Sequence, residues 1–382
     1  MGMALLATGP ALAQEQARVR ARDLGVAPGI FAPGSFNAIT DVPGVRVGQV
    51  SLMEGDTVRT GVTAILPHAG NTYRSRVPAA VHVGNGYGKF VGLSQVNELG
   101  ELETPILLTC TLCVWKAADA MAEWMLAQPE MAAVRSLNVV VGETNDGGLN
   151  DIRARPVTAA AVRQALESAR SGPVAEGSVG AGTGTELFGW KGGIGTSSRT
   201  LPDSLGGWTV GVLVQANYGG VLQVAGAPVG QALNQYAFQN AVADADAGKG
   251  LADDRGDGSI IIVIATDAPL SDRNLGRLAS RGMMGLGRTG SSASNGSGDY
   301  ILAFSTNESV RRAFDAPRHS TTELANESMS AVFQAGVDAV EEAIYNALFM
   351  ATTVSGNGTT VQAIPLDRVR QVLEAHGIAP TP

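Results

Sequence analysis

Asp253-Asp-Arg-Gly-Asp-Gly258-Ser259-Ile-Ile-Ile-Val-Ile-Ala265 is the point where a polar, acidic, glycine-bearing stretch that begins at Asp244 meets an unbroken β-branched run. Asp and Gly at this density mark an exposed segment with no regular element. Five consecutive Ile and Val residues, Ile260 to Ile264, mark a strand buried on both faces. Ser259 is thus the first residue of a buried strand, held rigidly, with an accessible carbonyl before it. That geometry suits attack of the serine hydroxyl on the Gly258 carbonyl, which cuts the chain and leaves Ser259 as a new N-terminus. Glycine at 258 eases the approach, because it adopts backbone geometries closed to other residues. Read alone, the same residues also describe an ordinary loop-to-strand junction.

Working outward, Val45–Leu52, Gly61–Leu66, Ala79–Val83, Pro105–Cys110 and Leu137–Val141 read as short strands between Gly, Pro and Asn punctuation. Val114–Gln128 and Val157–Arg170 carry apolar residues at helical spacing, the second with Thr158 as its cap. Leu187–Ile194 and Trp208–Gln215 read as paired strands, and a helix opened by Ser271 runs to Arg281. Asp299–Phe304 is a further strand, Met329 to Met350 a long helix, and Leu366–His376 a short helix stopped by Gly377. Strands and helices mix without strict β-α-β alternation, which predicts an α+β layered fold. Similar strands flank the Asp244–Gly258 stretch, so it reads as a processing loop inside one domain spanning residues 14–382.

Composition narrows the function. The chain has 382 residues, 45% of them hydrophobic, and a net charge of −8 with no Lys/Arg cluster, which argues against nucleic acid as a partner. Residues 1–13 form a short apolar stretch ending Ala11-Leu-Ala13, like a secretory leader that lacks a basic start. The expectation is export to the periplasm, with the cytoplasm as the alternative. No segment reaches the ~20 apolar residues of a membrane span. Cys110 and Cys113 read as buried small hydrophobes, since neither a thioredoxin-like turn nor a second ligand pair is evident. His68, His82, His319 and His376 fall in no zinc-peptidase motif, and no Gly-x-Ser-x-Gly elbow or P-loop occurs. Gly285-Leu-Gly287-Arg-Thr-Gly290 matches a dinucleotide fingerprint but follows a helix and precedes a serine-rich loop, the wrong context.

A hydrolase without these nucleophiles and bases needs another base, and an N-terminal serine supplies one. Its α-amino group, with a pKa of about 8, lies beside its own hydroxyl. Ser297 and Asp299 flank Gly298 at a strand start, and residues two apart project from one face, so they form a candidate hydroxyl–carboxylate relay. Asn217 ends the strand Val212–Asn217 and offers an amide to a developing oxyanion. Glu143 lies just past another strand end and suits a substrate ammonium group.

The chain resembles the self-processing serine aminopeptidases of the DOM fold, which include the L-aminopeptidase/D-amidase/esterase and the β-peptidyl aminopeptidases. The resemblance is carried by Arg22-Asp-Leu-Gly, Asn37-Ala-Ile-Thr-Asp-Val-Pro-Gly-Val, Arg59-Thr-Gly-Val-Thr, Gly142-Glu-Thr, Leu149-Asn-Asp151, Gly172-Pro-Val-Ala-Glu-Gly177, Lys191-Gly-Gly-Ile-Gly-Thr-Ser-Ser-Arg199, Val212–Asn217, Ala265-Thr-Asp-Ala-Pro and Ala303-Phe-Ser-Thr306. It implies an αββα four-layer sandwich, layered like the N-terminal-nucleophile hydrolases. It also implies cleavage before Ser259, with Ser259 as nucleophile, Ser297 and Asp299 as its partners, Asn217 on the oxyanion and Glu143 on the substrate ammonium. No metal or organic cofactor is implied. The substrate class is a small peptide or amino-acid amide, and the assembly a tetramer of αβ units. Two departures stand out: the β-peptidyl members carry Glu where this chain has Asp299, and a member of the family has a Tyr in the loop where this chain has Gly148. An ornithine acetyltransferase-like enzyme of the same fold and an inactive processed periplasmic binding protein are the alternatives.

Overall fold

The structure, a computed structural model, describes residues 17–243 and 258–380. Residues 1–13, expected to be a leader, and the stretch 244–257, expected to be part of a processing loop, lie outside the described residues. In chain order the strands of the two main sheets are β1 (Arg46–Glu54), β2 (Val58–Leu66), β3 (Ser75–Gly86), β4 (Phe90–Val91), β5 (Ile106–Cys110), β6 (Val140–Thr144), β7 (Gly193–Thr200), β8 (Thr209–Asn217), β9 (Ser259–Thr266) and β10 (Gly298–Ser305). One sheet runs β1-β2-β5-β6-β4 and the other β7-β8-β9-β10-β3, with the two-residue strands Arg312–Ala313 and Glu101–Leu102 added along β3. The main helices are α1 (Val114–Leu126), α2 (Ala159–Glu167), α3 (Asp272–Arg288) and α4 (Met329–Phe349).

The isoleucine run explains the layering. β9 is central in its sheet, antiparallel to β8 and parallel to β10. Ile260, Ile262 and Ile264 face the helices and pack with Leu278 of α3 and with Val340 and Ile344 of α4. Ile261, Val263 and Ala265 face the other sheet, against Ile65, Leu108 and Val140. Beyond that sheet, Val62, Ala64 and Leu107 pack on Met121 of α1 and Val162 of α2. The result is an αββα sandwich, the expected fold. Burying one isoleucine stabilises by about 1.5–3 kcal/mol, so β9 alone anchors both cores.

Several local expectations hold. Thr158 caps α2, its Oγ1 accepting from Ala161 N–H at 3.2 Å. The C-terminal helix Leu366–Ala375 ends before Gly377, whose φ is 76°. Three expectations are corrected. Leu187–Ile194 is not one strand but a tight hairpin, Glu186–Leu187 paired with Trp190–Lys191, followed by β7. Its turn places Phe188 and Gly189 at positive φ, breaking the strand. The helix opened by Ser271 runs on to Arg288, so Gly285 and Gly287 lie inside α3 rather than before a loop. A Cβ on Gly285 would lie 2.7 Å from Val337 O, so close packing against α4 outweighs glycine's poor helix propensity.

Cys110 and Cys113 are buried, as expected, but they are joined as a disulfide with a Cα–Cα separation of 5.1 Å. Strand β5 ends at Cys110 and α1 begins directly after Cys113, so the single turn between them brings the sulfurs together.

Candidate active site

Three strand ends meet at Ser259. Asn217, the last residue of β8, is the register partner of Ser259, and Ser259 is the partner of Gly298, which opens β10. This follows from the strand directions: parallel β9 and β10 start at the same edge, where antiparallel β8 finishes. In the facing sheet, β6 ends with Glu143-Thr144 at the same edge. Between the sheets opens a cleft of about 930 Å³, lined by Tyr87, Lys89, Glu143, Glu186, Asn217 and Ser259 among others.

The Gly258–Ser259 bond sits at the floor of this cleft. Ser259 Oγ donates a hydrogen bond to the Gly258 carbonyl oxygen at 2.7 Å. The Gly298 N–H points at both atoms, 3.2 Å from Ser259 Oγ and 3.1 Å from Gly258 O. One backbone donor therefore faces the hydroxyl and the carbonyl it would attack. Gly298 must be glycine for this approach, because a Cβ there would lie 2.8 Å from Tyr87 O and 3.2 Å from Ser259 Oγ. Gly258 is required for a steric reason: a Cβ there would fall 2.2 Å from Asn217 O.

Ser297 Oγ donates to Asp299 Oδ1 at 2.6 Å, and both residues are buried. Asp299 Oδ2 is buried without a partner. Burial pushes the Asp299 carboxyl up, and the Ser297 hydroxyl opposes that shift. Among the described residues no hydrogen bond joins this pair to Ser259 Oγ; what stands between them is Gly298. In parallel strands register partners share a face, so Ser259 goes with Gly298 while Asp299, one residue on, turns the other way.

Asn217 is fixed from both ends of its amide. Its Oδ1 accepts from Glu186 N–H at 2.9 Å, and its Nδ2 donates to Asn145 O at 3.1 Å. These bonds settle which end is nitrogen, and the second amide hydrogen has no partner among the described residues. Glu143 lies within the end of β6, not past it, and is only 3% exposed. Its Oε1 accepts from Lys89 N–H at 2.9 Å and sits 3.5 Å from Lys89 Nζ, which also donates to Thr111 Oγ1. Its Oε2 is buried with no partner. An unpartnered carboxylate oxygen facing a cleft is a ready acceptor for a cation.

Sequence reasoning missed the Gly298 N–H, the Lys89 backbone and Glu186. The first two are main-chain groups, which carry no residue-type signal. Glu186 lay just before the stretch misread as one strand, Leu187–Ile194, and was left in the preceding glycine-rich segment.

The arrangement has close relatives. The profile of peptidase family S58 matches residues 37–361. The chain belongs to peptidase family S58. It is 42% identical over 369 residues to a β-peptidyl aminopeptidase, BapA, of Sphingosinicella microcystinivorans, covering 94% of this chain and 92% of that one. Among solved structures, a β-aminopeptidase of a Burkholderia species superposes with a TM-score of 0.82 at 43% identity, covering 94% of this chain and 99% of that one. The L-aminopeptidase D-Ala-esterase/amidase of Ochrobactrum anthropi gives 0.84 at 39%, with the same coverage; it is described as a prototype for the serine aminopeptidases and a variant of the Ntn-hydrolase fold. The S58 enzyme is a hydrolase, and the serine aminopeptidase class expected from its sequence stands. No helix among its described residues is long and apolar enough to cross a membrane.

Proposed function

We propose that this S58 enzyme cuts its own chain before Ser259 and then releases N-terminal aminoacyl groups from small peptides, amides or esters. One observation carries the reading: Ser259 Oγ and the carbonyl oxygen of Gly258 share a single fixed donor, the Gly298 N–H. In the first stage Oγ attacks the Gly258 carbonyl carbon through a five-membered ring. The O–C bond forms, the C–N bond breaks, and the proton of Oγ passes to the departing nitrogen of Ser259. Negative charge developing on Gly258 O is met by Gly298 N–H. Water then hydrolyses the ester, leaving a Gly258 carboxylate and a free Ser259 amine.

In the second stage Ser259 Oγ attacks the substrate carbonyl and its own α-amine takes the proton, with a pKa of about 8 suited to that transfer. The second amide hydrogen of Asn217 serves the oxyanion. Glu143 Oε2 accepts the substrate ammonium. Ser297 and Asp299 hold Gly298 between them and act as positioning residues for its N–H. The α-ammonium so formed gives that proton to the leaving nitrogen or oxygen as its bond to the substrate carbonyl carbon breaks. Water then hydrolyses the acyl-enzyme ester, releasing the aminoacyl group as a free acid and restoring the Ser259 hydroxyl. The likeness to a β-peptidyl aminopeptidase supports β-aminoacyl groups as substrates beside L-α and D-α ones. The Cys110–Cys113 disulfide supports export, since such bonds persist in oxidising compartments. The assembly is taken as a tetramer of αβ units, to be read by sedimentation.

The test is a denaturing gel and a kinetic panel. The wild-type enzyme should give two chains of about 27 and 13 kDa, and Ser259→Ala one chain near 39.2 kDa. Aminoacyl p-nitroanilides of the L-α, D-α and β classes should be turned over by the processed form alone. An intact chain that hydrolyses them overturns the mechanism.

A further inference from the structure

The cleft holds a second carboxylate that the reaction above does not use. Glu186 opens the Glu186–Leu187 strand, and its backbone N–H is tied to Asn217 Oδ1 at 2.9 Å, so its position is fixed beside the oxyanion amide. Its side chain lines the cleft and is half-buried. Neither carboxylate oxygen has a hydrogen-bond or ion-pair partner among the described residues. Gly148 makes the room it occupies: a Cβ at 148 would lie 2.1 Å from Glu186 Oε1. The nearby cation, Lys191, attracts it but makes no direct ion pair with it. Lys191 is fully buried, its Nζ donates to Gly182 O and Gly192 O at 2.9 and 2.8 Å, and burial pushes its pKa down to about 7. Burial also pushes the Glu186 carboxyl up, against the pull of Lys191, which is the behaviour of an acid without a close partner.

The placement of the two free carboxylates gives the site a direction. Glu143 lies on the β10 and β3 side of Ser259: a Cβ on Gly88, just after β3, would come within 3.2 Å of its Oε1. Glu186 hangs from Asn217 of β8, on the opposite side. The order β8-β9-β10 places the nucleophile between them. A substrate with its ammonium on Glu143 and its carbonyl carbon at Ser259 extends its leaving group toward Glu186.

We infer that Glu186 is a specificity residue for the leaving group, favouring a cationic second residue such as Lys or Arg and disfavouring an anionic one. This rests on the aminopeptidase reading of Ser259 and Glu143. A charge-assisted hydrogen bond gained by a cation, with repulsion of an anion, corresponds to a preference of about tenfold or more in kcat/KM.

The experiment uses three dipeptide amides that share the best N-terminal residue of the p-nitroanilide panel and carry Lys-amide, Leu-amide or Glu-amide as leaving group. The amides remove the terminal carboxylate, so only the side-chain charge varies. The ratio of kcat/KM for the Lys and Glu substrates is read within each enzyme, so a general loss of activity cancels. The self-processed wild type should give a ratio of about ten or more, and Glu186→Gln should bring it close to one. Gly148→Ala should do the same, because the added Cβ displaces the carboxylate while leaving its charge in the protein. A flat ratio in the wild type, or one that survives Glu186→Gln, overturns the inference and leaves the aminopeptidase reading intact. Absence of turnover on all three amides and on the panel overturns that reading, and this inference with it.

Discussion

Glu342, between α4 and the sheet beneath it, has both oxygens occupied: Arg22 and Asn37 donate to Oε1, and Arg22 and Arg199 to Oε2. Glu143, equally removed from solvent, has Oε1 engaged by Lys89 and Oε2 engaged by nothing. Both burials cost desolvation energy, and only the first is offset inside the protein. The contrast separates carboxylates that hold the frame together from one left open toward the cleft. Frame carboxylates such as Glu342 close their networks, whereas Glu143, in the cleft, keeps one oxygen open, the oxygen proposed above to take the substrate ammonium. A free oxygen alone does not make a site, since Asp338 Oδ2 is also unpartnered and does not line the cleft. The free oxygen and the cleft have to coincide.

The largest expected effect breaks the frame side of this contrast. Glu342→Ala leaves the Arg199 guanidinium, which is fully buried, without its carboxylate. Urea unfolding should show a loss of about 3–5 kcal/mol, and a loss below about 1 kcal/mol would mean that the network is not closed in solution. The cleft side should respond in activity instead. Glu143→Gln keeps an acceptor for Lys89 but loses the negative charge. We expect kcat/KM to fall by about 100-fold, mostly through KM, with stability changed by less than about 1 kcal/mol. Stability loss on the scale of Glu342→Ala would erase the distinction between the two carboxylates.

Asp299→Asn tests the positioning pair. Band conversion on a gel should slow by about tenfold, with Asp299→Glu closer to wild type, because a carboxylate still reaches Ser297. Equal rates for the two variants would remove Asp299 from the processing machinery. A further test, read in stability against pH, concerns Asp146, a buried carboxylate in the loop after β6 whose Oδ1 accepts from Asn150 at 3.0 Å and whose Oδ2 is unpartnered. Desolvation raises its pKa from 3.8 to about 6. The folded state therefore holds this proton more tightly than the unfolded one. The stabilisation is full below pH 3.8 and is lost as pH rises through 6. Asp146→Asn should flatten that part of the stability–pH curve, measured by urea unfolding from pH 3.5 to pH 7. A variant curve as steep as wild type over this range contradicts the shift.

Legibility in the sequence tracked how local the cause was. The Ile260–Ile264 run announced a strand buried on both faces, because no sheet edge tolerates so continuous an apolar stretch. Thr158 could be read as a cap, and Ser297 and Asp299 as a pair, from spacings of two or three residues. The carboxy-terminal turns of α3 were not legible. Gly282 and Gly285 look like a break until Ile301 and Val340 are seen to pack where their Cβ atoms would stand.

Local steric preference and apolar burial thus set the identity of β9 and the place of Ser259 at its start, since both act between residues a few positions apart. Every group proposed to act with Ser259 came from strands and loops far away in the chain. The Gly298 N–H is 39 residues from Ser259 Oγ, Lys89 is 54 residues from Glu143, and Glu186 is 31 residues from Asn217. Those contacts depend on the register of two sheets and on backbone groups that every residue type carries, so only the closed sandwich could decide which donors and which free oxygens would face the Gly258–Ser259 bond.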